Sequence, residues 1–112
     1  MRRIAFASIC AALLGSAAFA QDSSLDRARF LLRIGYPEPA LAILESLPET
    51  RAVLEGRAQA HVMLASEVPA GIRCDHLRRA MGYASMASAQ GILEFSRRRF
   101  RDEGCQVAQP SS

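Results

Sequence analysis

Cys74 and Cys105 set the tightest limit on how this chain can fold. From Cys74 to Glu103 there is no proline, and Ala, Met, Leu and Arg, all good helix formers, dominate. Were residues 75–103 one straight helix, its ends would stand about 40 Å apart at ~1.5 Å rise per residue, whereas bonded cysteines need α-carbons within about 7 Å. A bond within the chain therefore requires a helical hairpin. The spacing predicts one over 73–86 and 89–103, with Ser85 or Ser88 capping the second helix. Because Ala84 to Gln90 holds neither Gly nor Pro, one long helix with a disulfide between two chains is the alternative.

Whether these thiols oxidise depends on the compartment, which the N-terminus addresses. Arg2 and Arg3 precede the uncharged apolar stretch Ile4 to Leu14, and Ala18-Phe19-Ala20 has the small-x-small form that signal peptidase cuts. The segment is short for a membrane span, which needs about 20 apolar residues, and Gly15-Ser16 breaks it. The expectation is a signal peptide over 1–20, a single helical domain over 21–105 and a C-terminal tail over 106–112, in the periplasm or secreted. Cys10 leaves with the signal. The surviving pair, Cys74 and Cys105, then enters an oxidising space, where an even pair is most simply a disulfide. A mature domain of about 90 residues buries only some 60 to 65% of the surface of its unfolded chain, so a covalent staple matters.

Charge excludes less than it first promises. The chain has 14 basic side chains, all Arg, against 11 acidic ones, but without Arg2 and Arg3 the balance is 12 − 11 = +1. The high isoelectric point is thus no argument for a polyanion partner. Residues 21–72 carry five Arg and seven acids, and residues 73–112 seven Arg and four acids, so a mildly acidic half precedes a basic one.

Apolar spacing and punctuation predict the remaining helices. Ser23 caps a first helix near 24–34, in which Leu25, Ala28, Leu31 and Leu32 recur at helical spacing and which Gly35 ends. Pro37 and Pro39 suit the opening turn of a second helix near 38–47, striped by Ala40, Leu41, Leu44 and Leu47. Pro48 stops it. Thr50 caps a third helix near 51–65, with Leu54, Ala58, Val62 and Ala65 on one face and Arg51, Glu55 and Gln59 on another. Residues 66–73, with Pro69 and Gly71, read as the longest loop. No run alternates with period two, so the fold class is all-α, antiparallel hairpins of about five short helices.

The segment Gly35-Tyr36-Pro37-Glu38-Pro39-Ala40, followed by Leu41 to Pro48, resembles the middle of a tetratricopeptide-type repeat, with Gly35 and Ala40 at two of its small positions. A second echo places Gly56 on a first helix and Leu77, Ala80 and Met81 on its partner. The resemblance spans about half of the mature chain and lacks the repeat's tryptophan and most tyrosines. It implies helix pairs stacked around a continuous core, with a concave face that receives a peptide or protein.

Chemistry-bearing residues are few. His61, Cys74, Asp75 and His76 are too close-spaced or too few to complete four metal ligands, and both histidines read as surface or boundary residues. Phosphate loop, nucleophile elbow and paired-carboxylate motifs are all missing, so no catalytic residue, metal or cofactor is expected. The sequence points to a non-catalytic adaptor that binds an envelope protein or peptide.

Arg97, Arg98 and Arg101 line a basic strip around Phe100 and offer an alternative contact with anionic lipid or cell-wall polymer; nucleic acid is not an expected partner of an exported chain. Their quieter reading is a solvated face on which Glu94 pairs with Arg98, Arg98 with Asp102 and Arg99 with Glu103. Met81, Tyr83 and Met86 read as core first and as an adaptable partner groove second. Ile92, Leu93, Phe95 and Phe100 cover a broad arc that should be mostly buried, any surplus favouring self-association.

Overall fold

The structure, a computed structural model, describes residues 21–106; the expected signal peptide and the tail beyond Gln106 lie outside the described residues. Within them the fold is all-α, as expected. Helix α1 covers residues 21–33, α2 Pro37–Glu45, α3 Arg51–Ala65, α4 Ala70–Met86 and α5 Gln90–Asp102. Ser23 therefore sits inside α1 rather than capping it, and α2 ends at Glu45, short of Leu47.

Each reversal is made by a helix C-terminus that satisfies its orphan carbonyls. After α1, Gly35 takes a left-handed φ of 90°, its N–H donates to Leu32 O (3.2 Å) and the Tyr36 N–H donates to Leu31 O (2.8 Å). That is the Schellman pattern. Pro37 then opens α2, and at α3 the Thr50 hydroxyl accepts the Val53 N–H at 3.3 Å. The expected loop 66–73 shrinks, because α4 begins at Ala70 directly behind extended Pro69 and takes Gly71 into its first turn. A first turn leaves N–H groups unpaired anyway, so proline before it and glycine within it cost little there.

The α4–α5 turn repeats the Schellman pattern without glycine. Ala89 N–H donates to Ala84 O (2.8 Å) and Ser88 N–H to Ser85 O (3.1 Å), with Ser88 itself at a φ of 55°. Ser88 thus makes the turn instead of capping α5, whose N-cap is Ala89 with no side-chain cap. Ser85 stays within α4. A third such motif ends α5: Gly104 is at a φ of 72°, and the Cys105 N–H donates to Phe100 O at 2.9 Å. Cys105 is thereby folded back onto α4. There it bonds Cys74, with α-carbons 5.6 Å apart, and the expected hairpin with its intrachain disulfide is present.

Helix α3 is the centre of the packing. It touches α2, α4 and, at fewer places, α5, and stays wet along Arg51, Glu55 and Gln59. Ala28 and Leu32 of α1, Ala40 and Leu44 of α2, and Val53 and Ala60 of α3 form one buried cluster. Gly56 admits this contact: a Cβ there would meet both methyl carbons of Leu44 at 3.1 Å, so α2 approaches closely. Ala58, Ala84 and Leu93 join α3, α4 and α5 at one level, and Ala65, Leu77 and Phe100 at another, beside the disulfide. Phe95 is an exception to the expected buried arc at 44% exposure.

Arginines seal the remaining helix ends. The buried Arg57 guanidinium on α3 donates twice to Leu44 O (3.0 and 3.2 Å) and once to Leu47 O (3.3 Å), with Glu49 at 3.6 Å. Arg73 on α4 does the same for α3, donating to Ala65 O (2.9 Å) and Val68 O (3.1 Å) while holding Glu103 at 2.8 Å. Arg51 donates to Ala87 O, at the end of α4, at 2.9 Å. A cationic fork suits such carbonyls, which carry the negative end of the helix dipole.

Two outcomes test this framework. Ser88→Gly, which removes the Cβ clash at positive φ, should raise stability by about 1 kcal/mol, and Ser88→Val should lower it by at least as much. Equal urea midpoints for all three proteins would refute the left-handed turn. Reducing the disulfide, which closes a 31-residue separation, should lower stability by roughly 3 to 4 kcal/mol on the chain-entropy account. An unshifted midpoint under reducing conditions would refute that account.

Candidate functional site

Three places gather functional side chains. The first is a polar cluster between α3 and α4. His61 is 1% exposed, contrary to the expected boundary position, because α3 is covered on nearly every side. Its Nδ1 lies 3.0 Å from Nδ1 of half-buried His76. The ring of Tyr83 stacks on His61 with centroids 5.7 Å apart, and the Arg57 guanidinium carbon lies 5.5 Å from the Tyr83 centroid.

This geometry is a hydrogen bond rather than a chelate. The imidazole centroids are 5.2 Å apart with the nitrogens 3.0 Å apart, so the two nitrogens meet nearly head-on, and an ion about 2 Å from each would lie well off both lone-pair directions. His61 Nε2 is buried with no hydrogen-bond partner among the described residues. A bare lone pair is easier to bury unpaired than an N–H, which assigns the proton to His61 Nδ1, donating to His76. Burial pushes the His61 pKa down from 6.5 to about 4, His76 and Arg79 push the same way, and Asp75 opposes them.

The second place is the groove between α4 and α5, about 330 Å³, lined by Met81, Arg97, Phe100 and Arg101. Phe100 is 5% exposed and forms the floor, and the Arg78 guanidinium carbon stands 5.7 Å from its ring centroid. Of the expected pairings on α5 only Arg99 with Glu103 forms, at 3.5 Å. Arg73 and Arg99 together hold the Glu103 carboxyl below the usual carboxylate range, the hydrogen bond from Arg73 contributing most. No carboxylate among the described residues lies within ion-pair distance of Arg97, Arg98 or Arg101.

The structure therefore regroups the residues singled out from sequence. Met81 joins Arg97 and Arg101, while Tyr83 joins the histidine cluster. Met86, 61% exposed, belongs to neither and is not core, and Arg98 is exposed outside the groove lining. Arg57 and the meeting of the two histidines were missed. Their signal was faint: Arg57 and His61 are four apart, one turn of the same helix face.

The third place is a groove of about 340 Å³ between α2 and α4, which both pack on α3. Leu41, Ala42, Leu64 and Val68 give it an apolar lining, and Glu38, Glu45 and His76 flank it. Comparison with protein-family models, curated proteins and solved structures finds no match to this chain.

The depressed His61 pKa fixes a sign for pH dependence. His61 stays neutral in the fold but takes up a proton in the unfolded chain below pH 6.5, so its contribution is complete above 6.5 and is lost as pH falls towards 4. The loss should approach about 3 kcal/mol between pH 7 and pH 4. Urea denaturation across that range should show it, and His61→Phe should flatten the slope between pH 6.5 and 4.5. An unchanged slope in the variant would refute the assignment.

Proposed function

We propose that the protein is an exported helical adaptor that binds a segment of another envelope protein in the groove between α2 and α4. The observation that carries this reading is the groove itself: α2 and α4 lean on α3 from two sides and leave an apolar trough of about 340 Å³. Helices that pack on their sequence neighbours and line grooves with alternate members are how helical repeats receive peptides. Gly35 at its left-handed turn and the fully buried Ala40 support the tetratricopeptide-like reading, since the first position favours glycine by its φ of 90° and the second is closely packed. The signal-like N-terminus and the disulfide support export.

Glu38 and Glu45 on the rim favour a ligand with apolar side chains and basic flanks. A photo-crosslinker placed at exposed Ala42, inside the groove, should label one defined envelope partner, whereas one at exposed Glu55 on α3 should not. Ala42→Arg should weaken that partner's binding about tenfold without shifting the melting temperature. Equal labelling from both positions, or none from Ala42, would count decisively against the groove.

A further inference from the structure

Of the 12 arginines in residues 21–112, six are engaged within the fold. Arg51, Arg57, Arg73 and Arg99 are used inside the fold, on helix-end carbonyls, on Ser66 Oγ (2.8 Å from Arg99) and on Glu49 or Glu103. Arg78 and Arg79 share Asp75, at 3.7 and 3.3 Å, and Arg78 also donates to Gln106 O at 3.3 Å. Arg27, Arg29, Arg33, Arg97, Arg98 and Arg101 have no such employment among the described residues, and of these only Arg97 and Arg101, one turn apart on α5, line a groove, beside Met81 and Phe100. Two guanidinium groups without an ion pair among the described residues thus border a floor of Met81 and Phe100.

We propose that the α4–α5 groove is a second docking site of the adaptor, one that takes an acidic peptide segment carrying a single apolar side chain. The carboxylates would meet Arg97 and Arg101, and the apolar side chain would rest on Met81 and Phe100. It extends the adaptor reading and rests on it, giving the molecule two grooves of opposite rim charge: glutamates at α2–α4, arginines at α4–α5.

Shape decides between a peptide and an anionic membrane. Lipid-binding helices push protruding apolar side chains into the headgroup region. Here the apolar atoms are recessed: Phe100 is 5% exposed at the bottom of the groove. A flat layer of headgroups would engage exposed Arg98 as readily as its neighbours, whereas a peptide seated in the groove would not, because Arg98 lies outside its lining. A concave floor bordered by two cations one turn apart suits a protruding side chain next to carboxylates, and the match of charge supplies the attraction.

Fluorescence anisotropy with a labelled peptide of alternating Asp and Ser around one central Phe tests this. The Arg97→Glu/Arg101→Glu variant should bind at least about tenfold more weakly, Arg98→Glu should change affinity less than about twofold, and replacing the peptide's Phe by Ser should cost about fivefold or more. The single variants Arg97→Gln and Arg101→Gln, each at an exposed position, give the same readout if the double reversal fails to fold. Equal losses for Arg98→Glu and the double variant, with no effect of the Phe, would overturn the groove in favour of diffuse attraction. Sedimentation with phosphatidylglycerol vesicles but no peptide binding would overturn it in favour of a membrane. Crosslinking from Ala42 is independent of Arg97 and Arg101, so failure here and failure of the α2–α4 reading are distinguishable.

Discussion

The three bonds from Arg57 to the end of α2 are the contact on which the rest of this structure leans. Helix α2 ends at Glu45, and Leu44 O, which also accepts the Leu47 N–H at 3.3 Å, and Leu47 O just beyond it take the Arg57 guanidinium. Unpaired, each such group would cost on the order of 1–3 kcal/mol. Arg57 reaches them from the middle of α3 because Gly56, beside it, lets α2 come close. Its other side meets Tyr83, which in turn stacks on His61. One guanidinium thus ties the α1–α2–α3 cluster to α4, and α4 is tied to α5 by the disulfide.

The same logic explains a composition with arginine and no lysine. A lysine places one point charge, whereas the planar fork of Arg57 spans two carbonyls and a carboxylate at once. Arg73 repeats the arrangement one helix later, between Ala65, Val68 and Glu103. Much of the basic charge is therefore structural, which agrees with the near-neutral balance of residues 21–112. The arginines without an ion pair among the described residues are Arg27, Arg29 and Arg33 on α1 and Arg97, Arg98 and Arg101 on α5.

Helix boundaries were legible at Gly35 and Pro37 but not at Pro48, ahead of which α2 already ends at Glu45, nor at Gly71, which α4 takes into its first turn, and the hairpin was legible from the reach of a disulfide. Its turn was not. Ser88 carries no turn signature that distinguishes it from Ser85; tertiary packing of Ala84 on Ala58 and Leu93, and the bond at Cys105, hold it in a conformation serine seldom adopts. Burial of Arg57 and His61 was hidden for a related reason. A stripe of Leu54, Ala58 and Val62 announces one buried face, but α3 is the central helix and is covered from several sides, so polar residues beside the stripe are enclosed too. The α4–α5 groove was half legible: Met81 and the arginines were visible as separate features, and only packing showed that they meet.

Placement of these features follows from a core too small to be purely apolar. With alanine at Ala28, Ala40, Ala58, Ala60, Ala65, Ala80 and Ala84, helices approach closely but each contact buries little area. The polar cluster of buried Arg57 and His61 with half-buried Tyr83 and His76 fills volume that a larger protein would give to aliphatic side chains, and it fixes the α3–α4 register through directional contacts. That register sets both grooves, because α4 contributes His76 to one and Met81 to the other. Any change that loosens the histidine pair must therefore move the walls of both together. The stabilising chemistry and the candidate binding surfaces are two sides of one helix.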